Sequence, residues 1–103
     1  MSTPAPDIRF IVVHAPGPAW QPGRPPFEQP GVAGHVGHYR AWLASGKLAM
    51  GGPFVDADGG GMMVTAPGVA EDEVRAFALA DPAVAAGLLT AQVRRWLVGM
   101  QGE

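Results

Sequence analysis

Along the chain, short apolar runs alternate with stretches crowded by Pro and Gly, and the period of the apolar positions changes from run to run. "IRFIVVH", Ile8 to His14, is dense in β-branched and aromatic residues, which suits a strand. Its apolar residues fall at odd and even positions alike, the pattern of a central strand covered on both faces. "APGPAWQPGRPPFEQPG", Ala15 to Gly31, has too much Pro and Gly for helix or regular strand. A loop of this length inside a domain commonly serves as a binding loop or lid. Trp20 and Phe27 within it are unusual choices for a solvated linker.

From Val32 to Ser45 the spacing predicts a helix, with Gly46 as its stop. Gly34 and Gly37 weaken its start by about 1 kcal/mol each relative to Ala. "KLAMGGP" reads as a short strand, "DADGG" as a turn and "GMMVTA" as the strand that completes a hairpin. A second helix is expected from about Gly68, because Glu71, Asp72 and Glu73 suit the positive end of a helix dipole. Val74, Phe77 and Ala78 form its apolar stripe. Asp81–Pro82 breaks the pattern, "AVAAGLL" forms a further helical turn, and "TAQVRRWLVG" closes the chain as a strand. The order β-α-β-β-α-β is a ferredoxin-like α+β arrangement, with residues 1–7 as a loose tail and residues 8–100 as one domain. Two helices cover one sheet face. The other is expected to be buried by a second copy of the chain, giving a homodimer.

Composition narrows the chemistry. At 103 residues the chain fits one domain, and it contains no cysteine, so thiol catalysis, disulfides and cysteine-ligated metals are excluded. The formal charge is −2 with no run of Lys or Arg, which argues against nucleic acid as a partner. "MSTPAPDIRF" lacks the pattern of a secretory leader, and no stretch reaches the ~18 apolar residues of a membrane helix. A cytoplasmic protein with no membrane partner is expected.

"HVGHYRAW", His35 to Trp42, sets two histidines beside two large aromatics. On a helical wheel counted from Val32, Val36, Tyr39, Trp42 and Leu43 form an inward stripe spanning ~280° to ~40°. His35 falls at ~300°, inside that stripe, and His38 at ~240°, outside it. An inward imidazole needs a partner for its ring N–H. A backbone carbonyl would make His35 a structural residue; a carboxylate would make it a general base. A metal site built on His35 and His38 would need a third ligand, and none is placed, so no metal is expected. Asp56 and Asp58 sit at the hairpin turn, where Asp before Gly is ordinary turn chemistry. Asp58 fits that role, whereas Asp56, at the strand end, is also a candidate partner for His35. Gly51, Gly52 and Gly59 to Gly61 would let a ligand approach the backbone closely. Trp20, Phe27, Tyr39 and Trp42 are candidates for an apolar pocket wall, Tyr39 being better explained by core packing. Arg24 or Arg94 could meet an anionic group, although solvation explains both.

The string "H-x-x-x-Y-x-x-W-L-x-x-G-K-L-x-x-G-G-P-F-x-D-x-D-G-G-G", followed by "ADPAVAAGLL" and "VRRWLV", resembles the YCII-related proteins over roughly residues 8 to 98. The resemblance implies a ferredoxin-like chain that pairs as a dimeric α/β barrel. It also implies a His–Asp catalytic pair at His35 and Asp56. One branch includes a cofactor-independent dehydrochlorinase of chlorinated hydroxyquinols, and the fold is similar to muconolactone isomerase. The expectation is therefore a small lyase or isomerase without cofactor, with His35 and Asp56 catalytic and Trp20, Phe27, Trp42, Gly52 and Pro53 binding the substrate. The alternative is a non-catalytic dimeric domain that binds a small molecule. The Pro-rich loop and the additional His38 depart from the family pattern.

Overall fold

The structure is a computed structural model, described here for residues 5–56 and 58–103. The tail expected over residues 1–7 therefore lies partly outside the described residues, as does the turn position at residue 57. Strands β1 (Ile8–Pro16), β2 (Leu48–Pro53), β3 (Gly61–Thr65) and β4 (Leu89–Leu97) form one sheet in the order β2-β3-β1-β4. All three neighbouring pairs are antiparallel. Helices α1 (Val32–Ala44), α2 (Glu71–Leu79) and the single turn α3 (Pro82–Ala85) complete a βαββαβ, ferredoxin-like α+β fold.

The central position of β1 follows from its composition. Phe10 and Val12 point to the helices and pack with Tyr39, Trp42, Leu48, Val74 and Ala78 in the main core. Ile11 and Val13 point the other way, where Ile11 pairs with Val64 and Arg94, and Val13 with Met62 and Gln92. Among the described residues no helix covers that second face, and Met50 and Trp96, which the register places on it, are exposed. Inside the core the amide of Phe10 donates to the hydroxyl of the fully buried Thr65, which satisfies both groups.

Helix α1 tolerates Gly34 and Gly37 and runs unbroken from Val32, after Gly31 in the left-handed conformation. Its buried face is rotated from the wheel expectation. Tyr39 and Trp42 are buried, but Leu43 is 52 % exposed, and His38 is half-buried with its ring stacked on Phe77 at 3.8 Å. His38 Nε2 also meets the Phe77 carbonyl oxygen at 2.7 Å. The apolar arc on α1 is wider than the part that touches the sheet. Val36 and Leu43 face a cavity instead of the main core, Val32 lines it while packing on the smaller cluster of Ala83, Leu88 and Leu89, and a wheel cannot distinguish those kinds of apolar surroundings.

The loop after β1 is built rather than slack. Its start is pinned by bonds from Gly17 N to the Leu88 carbonyl and from Ala19 N to the Gly87 carbonyl. The buried Gln29 then clasps it, accepting from Gln21 N and donating to the carbonyls of Gln21 and Arg24. A single 3-10 turn at Pro26–Glu28 presents Phe27 outward, 69 % exposed.

Candidate active site

His35 and Asp81 are brought together by two chain features with separate local causes. Asp81 is the residue before Pro82, so it adopts extended backbone geometry and caps α3, accepting from Ala83 N at 2.9 Å with Oδ1. That bond leaves Oδ2 free to face α1. Gly34 of α1 lies against the Pro82 ring, so the two helices approach closely at the residues just before His35 and just after Asp81. His35 Nδ1 then lies 2.6 Å from Asp81 Oδ2. The carboxylate is fully buried and the imidazole nearly so.

A second imidazole joins from the sheet. His14 is 3 % exposed near the end of β1, and its Nε2 lies 3.9 Å from Asp81 Oδ2 and 3.5 Å from the Tyr39 hydroxyl. The rings of His14, His35 and Tyr39 meet edge to face, with centroids 4.9 to 5.5 Å apart. Burial, then the nearby His35, push the His14 imidazole down to about 4, against the pull of Asp81. Burial, reinforced by Asp81, raises the Tyr39 phenol well above its ordinary value. Burial works against the charge on Asp81. The hydrogen bonds from His35 and Ala83 N and the two imidazoles outweigh it, so the carboxyl titrates below its ordinary range.

His14, His35 and Tyr39 open onto a cavity of about 520 Å³, within the usual range for small-ligand sites. Its walls come from α1, the Pro-rich loop, the β2–β3 hairpin and the ends of β1 and β4, and are mainly apolar: Trp20, Phe27, Val36, Leu43, Met63 and Leu89 among others. Among the described residues, Arg40 is the one charged side chain outside the histidine cluster on these walls. Gly60, at φ +82°, lets the hairpin press on β1, since a Cβ there would stand 2.7 Å from the His14 carbonyl oxygen.

Several expectations change. The carboxylate against His35 within the chain is Asp81, not Asp56, which is exposed in the β2–β3 turn. Trp20, Phe27, Gly52 and Pro53 do line the cavity. Trp42 does not; it stacks on Phe77 at 3.9 Å in the core, because its position on α1 points to α2 and the sheet. Sequence reasoning read Asp81–Pro82 only as a helix break and assigned no role to His14. The available signal was the Asp-Pro pair as a capped helix start, which engages one carboxylate oxygen and leaves the other free for a second partner.

These features can be set beside known proteins. The sequence matches the YCII-related domain over residues 9–97. The chain belongs to the YCII-related family. A curated relative, the uncharacterized protein YjpA of Bacillus subtilis (strain 168), is 36% identical over 70 residues, covering 68% of this chain and 80% of the relative. Among solved structures, this YCII-related chain is similar to 5-chloro-2-hydroxyhydroquinone dehydrochlorinase (TftG) from Burkholderia phenoliruptrix AC1100, in complex with 2,5-dihydroxybenzoquinone. The TM-score is 0.60 at 23% identity, over 84% of this chain and 92% of that one, which establishes a shared fold. No helix of the YCII-related chain is long and apolar enough, among the described residues, to cross a membrane.

Proposed function

We propose that this YCII-related protein is a small lyase or isomerase that moves a proton on a small cyclic or aromatic metabolite without an organic cofactor. His35 acts as the general base and Asp81 orients it. The observation that carries this reading is the 2.6 Å contact between His35 Nδ1 and a fully buried Asp81 carboxylate at the wall of an apolar cavity. An ionised carboxylate only accepts hydrogen bonds, so Nδ1 donates, and Nε2 is left as the ring's proton acceptor. When Nε2 takes a proton from substrate carbon, the imidazolium forms against a negative charge already in place. The proton then returns at another position in an isomerisation, or the substrate expels a leaving group with its bonding electrons in an elimination. Trp20, Phe27, Gly52 and Pro53 bound the substrate, and Arg40 can face an anionic substituent. The ligand in the dehydrochlorinase structure, a single planar ring, supports a substrate of this size.

The test is deuterium exchange from heavy water into a panel of small phenols, lactones and hydroxyquinols, followed by NMR. At least one compound is expected to exchange in the presence of wild type, and His35→Gln is expected to slow that exchange by about 10²–10⁴-fold, the usual range for a positioned base. Compounds that bind with no exchange across the panel would favour the second reading, a non-catalytic binding domain.

The uncovered sheet face supports a homodimer under either reading. Ile11, Val13, Met62 and Val64 form an apolar centre there, with exposed Met50 and Trp96 beside it. Light scattering on a sizing column is expected to give twice the chain mass, and Val13→Asp is expected to return the monomer. A monomeric wild type at micromolar concentration would remove the dimer.

A further inference from the structure

We infer that His14, His35 and Asp81 together bind one divalent first-row transition cation of the zinc class, with its remaining coordination positions open to the cavity. Each residue offers one ligand atom, and these atoms all lie within 4.8 Å of one another. Two imidazoles and one carboxylate, with open positions beside them, suit zinc, cobalt(II) or iron(II) rather than magnesium or calcium. Donor atoms across a tetrahedral zinc stand about 3.3 Å apart, given Zn–N and Zn–O distances near 2.0–2.1 Å. The separations from Asp81 Oδ2, 2.6 Å to His35 Nδ1 and 3.9 Å to His14 Nε2, bracket that value, and the ligand atoms of the two imidazoles lie within 4.8 Å of each other, so closure of the three side chains around one ion completes the site. The carboxylate is already oriented by Ala83 N on its other oxygen, the kind of outer contact that fixes metal ligands. Burial keeps His14 neutral, with a lone pair available. His38 does not take part, because its Nε2 is engaged by the Phe77 carbonyl; the second imidazole comes from β1 instead.

Cation and proton compete at His35. An imidazole bound to metal through Nδ1 carries its hydrogen on Nε2 and is no longer a base there. The cation is therefore an inhibitor of the proton transfer proposed above. That consequence rests on the proposed function, whereas the binding does not.

Chelator-treated full-length protein is titrated with Co²⁺ and the visible spectrum recorded, then displaced with Zn²⁺. Saturation at one ion per chain is expected, with the intense bands of four- or five-coordinate cobalt. Zn²⁺ is expected to move the ring ¹⁵N resonances of His14 and His35 in wild type. His14→Gln and His14→Ala, where folded, are expected to weaken binding by about 100-fold or more, more than loss of an outer contact does. His38→Ala is expected to bind as wild type. The absence of saturable binding up to millimolar Co²⁺ overturns the site, as does the weak spectrum of hydrated ion or an unchanged affinity without His14. The deuterium exchange assay separates the two ideas: binding without any exchange leaves the site and removes the proton transfer, and exchange unaffected by bound Zn²⁺ removes the inhibition.

Discussion

Replacing Asp81 by alanine is expected to lower the thermal midpoint by about 5 °C or more and to abolish activity. Three separate interactions end at this one side chain. Its Oδ1 caps α3, and loss of a cap costs about 0.5–2 kcal/mol. Its fully buried Oδ2 accepts from the His35 imidazole, and losing a hydrogen bond to a charged group there costs about 1.5–3 kcal/mol. Its charge also draws on His14. In a domain of this size each 1 kcal/mol moves the midpoint by about 4–8 °C, so the shift exceeds about 5 °C even if the two costs overlap. Asp81→Asn divides the effects. Its amide oxygen can still accept from Ala83 N, so a smaller loss of stability is expected. Without the negative charge, Nδ1 of His35 is no longer held as the donor, and activity is expected to fall by about 10²–10⁴-fold. Differential scanning calorimetry on both variants decides the matter. An Asp81→Ala midpoint within a few degrees of wild type would show that the carboxylate is not held as described.

The fold was legible because each element carries its own local signal. The β-branched run at Ile8 to His14, the acids at Glu71 to Glu73 and the Asp-Pro stop all act within a few residues, and the strands and helices fall close to where those signals put them. His35 was legible in part, since its direction on α1 depends only on helical period. Its partner was not. Asp56 and Asp81 both follow a secondary-structure element, and choosing between them requires knowing that α3 packs on α1 through Pro82 and Gly34. The His35–Asp81 contact it produces spans 46 residues and leaves no periodic trace. His14 was hidden for a related reason: at a strand end, an imidazole facing the core and one facing solvent look alike until the register with β3 and β4 is fixed. The family resemblance pointed to a His–Asp pair at His35 and Asp56, whereas the carboxylate that meets His35 within this chain is Asp81.

His14 gives the protein an expected sensitivity to mild acid. The ordinary imidazole value is 6.5, and in the folded chain burial brings His14 down to about 4. Between those values the unfolded chain holds a proton that the folded chain does not, so stability falls as pH falls through 6.5 and levels off below about 4. The full gap corresponds to about 3 kcal/mol, a large part of the margin of a small domain. Asp81 adds a loss of the same sign at lower pH: its folded carboxyl titrates below the ordinary 3.8, so its contribution is present above that value and is lost as pH drops through the folded one. Urea unfolding of chelator-treated protein at pH 7.5, 5.5 and 4.5 is expected to show the midpoint falling steadily, with an unchanged slope if unfolding stays two-state. His14→Gln removes the group that titrates, so its midpoints are expected to fall less over the same interval. If the wild type and His14→Gln lose stability in parallel, the acid sensitivity arises elsewhere, and His14 is not the buried neutral imidazole that the site requires.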